Sequence, residues 1–270
     1  PSILAPAEAS WGRVDERFLV HLDPTDWRKH LRHYYEWLQG TDPQRHNALL
    51  QQVVGRDSKG AITARQFIYE GRIPPEYRHG LTYYALAQDG AGRRIQAPNT
   101  DQLFWLFNRD QRTVQDTLSL LQPVFVPYAL GGLALDGVGV VVANPMLAGK
   151  EAWALGDGHQ YHWSVVWGLT NNLLELGLAR QLSALPATQR GELERALDQA
   201  RALRHASLSL QNQEAISWRI NAAGTIEPIP LEDGFVDHPS NPYQLWNTAA
   251  LAAAMVNAQR IGWAQGRELI

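Results

Sequence analysis

The sequence has no cysteine and no long apolar run among its 270 residues. The absence of cysteine excludes disulfide bonds and thiol catalysis, and it removes the usual indicator of a redox compartment. The most apolar runs, residues 137–143 and 249–256, are far shorter than the roughly 20 residues that a membrane-spanning helix requires. The sequence therefore predicts a chain without disulfides and without a membrane span.

An excess of charge of one sign is also lacking. The chain has 24 Lys and Arg against 27 Asp and Glu, a net charge of −3 and a pI of about 6.3. Without a basic block, a surface for nucleic acid or anionic lipid is not expected. No signal peptide is present. The chain begins at Pro1 rather than Met, so we expect an upstream segment to have been removed or left out. Export with loss of that segment is one interpretation, and the localisation of this soluble chain stays open.

Aromatic residues are what the sequence has in abundance, with ten Trp, nine Tyr and six Phe. A large hydrophobic core can use such residues to fill space. A sugar-binding cleft also uses them, because the apolar face of a pyranose ring stacks on indole. Composition alone favours the core.

Helical periodicity dominates the chain. After Asp23 a helix is predicted to run to Gly40, a residue typical of helix ends. Two further helices are predicted over residues 101–107 and 112–121, and Pro123 is expected to end the second. The buried face of the first helix is predicted to comprise Trp27, Leu31, Tyr34, Tyr35 and Leu38.

Two segments lack this periodicity. Residues 81–87 resemble a strand, and the turn-forming pair Asp89-Gly90 separates them from residues 93–96. We expect a short β-hairpin there. Residues 131–145 are apolar and rich in glycine, which indicates a buried extended segment or a long loop.

The later helices differ in polarity. Residues 160–182 are apolar on most of the helix circumference, whereas residues 191–206 are amphipathic. A third helix is predicted from Asn241-Pro242 to about Arg260, and it is also nearly all apolar at first. One amphipathic helix beside two apolar ones predicts an inner and an outer layer. The expected fold is therefore a single, mainly α domain over residues 1–270.

Three segments, in order along the chain, resemble the six-hairpin glycosidases, the clan of glucoamylase-like, trehalase-like and glycogen-debranching-like enzymes. Residues 137–145 (GVGVVVANP) resemble the stretch before an inner helix of bacterial members. Residues 161–168 (YHWSVVWG) resemble their Tyr-His-Gly-Thr-Val-Val-Trp-Ser run. Residues 213–218 (QEAISW), then Gly224 and residues 244–249 (QLWNTA), resemble a Ser-Glu-Leu-Trp-Ser motif followed by a Gln-Leu-Trp helix start.

This resemblance implies an (α/α)6 toroid of helical hairpins. The chain has too few helices for a whole ring, so the resemblance implies the C-terminal portion of a larger toroid. An upstream segment or a second chain would complete it. In this clan the general base lies before the last inner helix. The general acid usually lies near the middle of the full sequence, so an acid upstream of Pro1 is one interpretation and its position stays open.

Glycosidic bond cleavage needs two carboxyl groups, one as acid and one as base or nucleophile. Glu214 is the candidate general base, although its position between two elements also fits an exposed loop glutamate. Asp101 is the second catalytic candidate, although an acidic residue in a first helical turn also complements the helix dipole. Asp157 is a further candidate of the same kind, assigned to substrate binding.

Four aromatic or imidazole residues are candidates for substrate binding. His162 and Trp163 are expected at the mouth of an inner helix, where stacking and hydroxyl binding are both feasible. Trp167, one turn further in, and Trp218 fit core packing at least as well. Because the helices on either side of residues 183–190 should run antiparallel, His162, Trp163 and Glu214 are expected to share one concave site.

No metal or cofactor is expected. His30 and His33, like His159 and His162, are spaced three apart, but neither pair has an evident third ligand. Phosphate-loop and dinucleotide motifs are absent from the sequence, as is a nucleophile elbow.

The predicted activity is that of an inverting glycoside hydrolase acting on an oligo- or polysaccharide. Two alternatives stay open. A polysaccharide lyase on a similar toroid could use Tyr161, His162 and Asn171 against a uronate. A non-catalytic half-toroid could bind a glycan or a partner chain instead.

Overall fold

The computed structural model describes residues 18–52, 62–108, 113–156, 162–210 and 213–234. Within these ranges the fold is mainly helical, with short antiparallel hairpins, as the sequence predicts. The helices are α1 (Pro24–Thr41), α2 (Pro43–Gln52), α3 (Ala64–Ile68), α4 (Gln102–Asn108), α5 (Val114–Phe125), α6 (Lys150–Gly156), α7 (Gly168–Ala184), α8 (Gly191–Leu203) and α9 (Leu231–Gly234).

The strands of these ranges pair only antiparallel. β1 (Leu19–Leu22) pairs with β2 (Leu81–Tyr84), β3 (Ala87–Gln88) with β4 (Arg94–Ile95), and β5 (Ala134–Leu135) with β6 (Gly139–Val140). A three-stranded sheet contains β7 (Val166–Trp167), β8 (Ala215–Ile220) and β9 (Ile226–Pro230) in that order.

Helix α1 forms as its sequence predicts. The carboxylate of Asp23 accepts hydrogen bonds from the backbone N–H groups of Thr25 and Asp26, which caps the helix. The prediction that Gly40 ends it is wrong, because the helix continues to Thr41 and Asp42 forms the cap. Gly40 does not adopt the left-handed conformation that makes glycine a helix terminator. The five predicted face residues are all buried: Trp27, Leu31, Tyr34, Tyr35 and Leu38.

Helix α5 contains Pro123 rather than ending at it. Proline lacks only its own N–H and so removes a single donor, close to the end of the helix. Its carbonyl accepts a hydrogen bond from Leu133, which anchors the following loop to the helix. The helix ends at Phe125.

The predicted hairpin around Asp89 is confirmed in its turn but not in its full strand. β3 and β4 pair across the turn, and the carboxylate of Asp89 accepts hydrogen bonds from Ala91 and Arg93. Residues 81–84, expected to belong to the same strand, instead pair with β1. The predicted strand is therefore divided: β2 belongs to one sheet and β3 to another.

The glycine-rich segment at 131–145 is buried and extended, as expected, and contains the β5–β6 hairpin. The side chain of Asn171 on α7 hydrogen-bonds to the edge of this hairpin. Its amide oxygen accepts the N–H of Val140, and its amide nitrogen donates to the carbonyl of Val140. Gly139 has a φ of +141°, and a Cβ there would lie 2.8 Å from that amide oxygen.

Helices α7 and α8 form the expected layers. α7 is buried around nearly its whole circumference, and α8 is buried on one face only. α4 and α8 both pack on α7. The prediction that the inner helix begins at about residue 160 is wrong, since α7 begins at Gly168. The residues just before it form β7, because they pair with β8.

The helix predicted from Asn241-Pro242 lies outside the described residues. Within the described ranges, no helix is both long and apolar enough to cross a membrane.

Candidate functional site

The pairing of β7 with β8 brings two of the candidate segments together. Trp167 lies opposite Ala215, and the N–H of Gly168 donates to the carbonyl of Glu214 over 2.9 Å. α7 leads away from this pairing and α8 returns toward it. Glu214 therefore lies beside the start of the inner helix, as the antiparallel arrangement of the two helices predicts.

Two further segments extend this arrangement by backbone hydrogen bonds. The N–H groups of Val142 and Ala143 donate to the carbonyls of Val165 and Trp163, each over 2.8 Å. On the other side, the N–H of Thr100 donates to the carbonyl of Val142 over 2.9 Å. We call the result the four-segment array. Its members, in spatial order, are residues 98–100, 142–144, 163–168 and 214–216.

Glu214 lies at one end of the array and is buried, with 8% of its surface exposed. The simple alternative of a solvent-exposed loop glutamate is therefore excluded. Its neighbour Gln213 accepts a hydrogen bond from the N–H of Leu231 through its side chain, over 3.4 Å. A general base must also lie within hydrogen-bond reach of the proton that it abstracts.

His162 and Trp167 contact each other at the surface of the third segment. Their ring centroids are 5.0 Å apart in an edge-to-face arrangement. His162 is exposed, whereas Trp163 and Trp167 are half-buried. All three precede α7 rather than lying on it, so the expectation that they open the helix from within is corrected. They belong to the segment that β8 holds in place.

Trp218 lies behind this surface and is 1% exposed. Its indole N–H donates to the carbonyl of Ser164 over 2.5 Å, and its ring packs edge-to-face on Tyr128. The guanidinium of Arg45 lies 5.3 Å from the ring centroid. Trp218 therefore ties the backbone of the third segment to β8. It supports the position of that segment without lying at the surface itself.

Ser164 was not predicted as a site residue, although it lies within the YHWSVVWG motif. Its hydroxyl is 2.7 Å from that of Tyr128, and its carbonyl accepts from Trp218. The residue is buried. A serine between aromatic residues in an otherwise apolar run is the signal that could have indicated this role.

Asp101 lies at the opposite end of the array from Glu214. Its N–H donates to the side-chain oxygen of Asn99, and the residue lies at the surface with its carboxylate partly buried. Partial desolvation raises the pKa of Asp101 above its ordinary value. Neighbouring segments lie about 4.8 Å apart, so three spacings separate its end of the array from that of Glu214 by roughly 14 Å. Asp157, the remaining carboxylate candidate, lies outside the described residues.

A buried charged cluster holds the helices that carry the site. The carboxylate of Glu175 on α7 is 2.9 Å from the guanidinium of Arg204, which also donates to the side-chain oxygen of Asn172. Arg201 approaches the other carboxylate oxygen at 3.9 Å. The sequence signal was present, since Glu175 stands between leucines in the middle of a buried helix.

No group of three or more His, Asp or Glu residues that could hold a metal ion forms within the part of the chain that the structure describes. Comparison of the sequence with protein-family models finds no match, and comparisons with curated proteins and solved structures find none either.

Proposed function

We propose that this chain is part of a glycoside hydrolase of the inverting kind, with Glu214 as the general base. The observation that carries the proposal is the burial of Glu214 immediately before β8, where its backbone carbonyl pairs with Gly168. The proposal includes a toroid of helical hairpins in which α7 and α8 form one hairpin. The substrate is an oligo- or polysaccharide.

In this proposal the carboxylate of Glu214 takes a proton from a water molecule as that water attacks the anomeric carbon. A second carboxyl group protonates the departing glycosidic oxygen. Inverting enzymes keep the two groups about 6.5–9.5 Å apart to leave room for the water. The roughly 14 Å separation estimated from strand spacing is too long for Asp101 to be that acid. The proposal therefore takes the acid from another segment.

The half-buried indoles of Trp163 and Trp167 offer apolar surface to a sugar ring, and the imidazole of His162 offers a hydrogen-bonding group. The pairing of β7 and β8 joins the backbone of the segment that carries these groups to the backbone of the segment that carries Glu214. Substrate binding and proton transfer are thereby assigned to different side chains of adjoining segments.

One observation counts against the lyase alternative. Asn171, which a lyase would use to neutralise a uronate, directs both ends of its amide to backbone groups of Val140 and Trp167. A non-catalytic glycan-binding half-toroid is the second candidate. It has the same binding surface but lacks a carboxyl group facing Glu214.

The test is the Glu214→Gln variant of the full-length protein. The amide keeps the shape of the side chain but cannot accept the proton, so turnover should fall by about 10² or more. Glycan affinity should change little, because stacking and hydroxyl contacts remain. Reducing-sugar release from neutral and uronate glycans, glycan affinity and melting temperature should be measured together. Retained turnover would remove Glu214 from the mechanism, and lost stability would make its role structural.

A further inference from the structure

A cleft with a volume of about 520 Å³ opens between α1, α2 and α3. None of its lining residues belongs to the four-segment array. The volume lies within the range of small-molecule sites and can accommodate one or two sugar rings. Its lining residues are Glu36, Gln39, His46, Asn47, Leu50, Arg65 and Tyr69.

His46 is the unusual member of this lining. It is only 7% exposed and packs edge-to-face on Tyr35, with ring centroids 5.5 Å apart. Its Nε2 atom is buried and has no hydrogen-bond partner among the residues that the structure describes. Burying a polar atom without a partner is costly. A ligand hydroxyl in the cleft would provide the missing hydrogen bond.

The protonation state of His46 fits a neutral ligand. Burial lowers the pKa of His46, although the side chain of Asn47 opposes this shift through a hydrogen bond. At neutral pH the imidazole is therefore uncharged and can exchange hydrogen bonds with a hydroxyl in either direction.

The charges of the cleft balance. Glu36 and Arg65 both line it. The carboxylate of Glu36 acts on the hydroxyl of Tyr69 in one direction, and Arg65, with Arg32 outside the lining, acts in the other. A phosphate or uronate would meet the carboxylate of Glu36 as well as the guanidinium of Arg65. A polyhydroxyl ligand without charge can use both, because neighbouring hydroxyls donate to a carboxylate and accept from a guanidinium.

Tyr69 provides an aromatic surface at the edge of the cleft, and 37% of it is exposed. Solitary exposed aromatic residues need no special explanation. Here the ring lies beside a carboxylate, a guanidinium and the two amides of Gln39 and Asn47. This combination suits a pyranose, which has one apolar face and a rim of hydroxyls.

From this geometry we infer that the cleft between α1, α2 and α3 binds a neutral sugar unit, which stacks on Tyr69 and hydrogen-bonds to Glu36, Arg65 and His46. The site is separate from the array, and its existence does not require that the protein hydrolyse glycans. It would hold a chain of sugars at a second point on the surface.

The experiment follows the ring nitrogens of His46 by NMR in protein labelled with ¹⁵N-histidine. Maltotetraose, cellotetraose and mannotetraose are the neutral probes, and tetragalacturonate is the charged one. The His46→Gln variant assigns the signal. If that variant does not fold, hydrogen exchange of the α2 amides gives the same local readout. At least one neutral probe should shift the His46 signal in a saturable way, and tetragalacturonate should not.

Two variants test the lining. Tyr69→Ala should raise the half-saturating sugar concentration by about fivefold or more, whereas Tyr69→Phe, which keeps the ring, should change it little. Glu36→Gln should weaken binding as well. Ile95→Ala, at a residue of similar exposure (38%) outside the cleft, is the matched control. The inference is overturned if no neutral probe shifts His46, if tetragalacturonate binds more tightly, or if Tyr69→Ala and Glu36→Gln both bind as the wild type does.

Discussion

The long helices α1 and α7 are held in the protein by different chemistry. α1 buries aromatic rings, and their polar tips donate to backbone carbonyls: Trp27 to Leu130 over 2.8 Å and Tyr35 to Ala129 over 2.6 Å. α7 buries charged and amide side chains instead, among them Glu175 and Asn171. In the first region the hydrophobic effect supplies most of the stability, and the hydrogen bonds fix the orientation of the aromatic rings. In the second region Glu175 and Asn171 depend on specific partners, namely Arg204 and the backbone of Val140.

The difference teaches which region should tolerate change. An aromatic ring that loses its hydrogen bond still buries its apolar surface. A buried carboxylate that loses its cation stays desolvated without compensation, at a much higher cost. The α7 region should therefore be the more fragile, and it carries the proposed catalytic site.

The largest expected effect is that of Arg204→Leu. Glu175 would lose its nearest cation while still buried, and Arg201 at 3.9 Å would compensate only in part. The free energy of unfolding should fall by about 3–5 kcal/mol, as measured by urea denaturation. The double variant Glu175→Leu with Arg204→Leu should regain much of this loss. A single variant as stable as the wild type would contradict the contrast between the regions.

Gly139→Ala should be the next most damaging. An added Cβ would lie 2.8 Å from the Asn171 amide oxygen and 2.9 Å from a methyl group of Val166, on a backbone with positive φ. We expect a loss of about 2–3 kcal/mol. Gly92→Ala is the control, because Gly92 also has positive φ but nothing lies within 4 Å of its added Cβ. Equal losses in the two variants would mean that close packing against α7 contributes nothing.

Tyr35→Phe tests the aromatic region and should cost less, about 1–2 kcal/mol. The ring stays buried, and only the hydrogen bond to the carbonyl of Ala129 is lost. Thermal and urea denaturation measure the change. Tyr69→Phe, at an exposed ring, should leave stability unaltered. A loss for Tyr35→Phe that exceeds that of Arg204→Leu would reverse the ranking of the two helices.

The smallest effect concerns pH. Burial lowers the pKa of His46 below its ordinary value of 6.5, so the unfolded chain takes up the proton more readily than the folded one. Stability is therefore full above the unfolded pKa and declines as the pH falls through it toward the folded pKa. His46→Gln should flatten this part of the stability curve between pH 7.5 and 5. Half-buried His30 also has a lowered pKa, so the free energy of unfolding of the variant should still decline somewhat as the pH falls.

The helices with a clear apolar stripe were predictable, since α1 and α8 bury the residues that their periodicity indicates. The residue at which α7 begins could not be predicted. Residues 165–167 are as apolar as the helix that follows, so local pattern cannot separate a strand from a helix there. Pairing with residues 215–216, distant in sequence, decides the matter.

The candidate site shows the same division. The sequence identified the segments of Glu214 and His162 and placed them on one side of a helix pair. The β7–β8 pairing joins residues 166–167 to residues 215–216, and the shared site stays a prediction. The sequence could not reveal that residues 142–144 lie between the Asp101 end and the Trp163 segment, because that order depends on backbone hydrogen bonds between distant parts of the chain. The burial of Trp218 likewise follows from tertiary packing against Tyr128 and Ser164.

Asn171 has a mechanical consequence. Its single amide grips both backbone groups of Val140 and the carbonyl of Trp167. The β5–β6 hairpin and the residue that precedes α7 are thus tethered to the same rigid planar group. Any displacement of the hairpin is transmitted through one side chain to the backbone of Trp167, and a displacement of that backbone is transmitted to the hairpin in return.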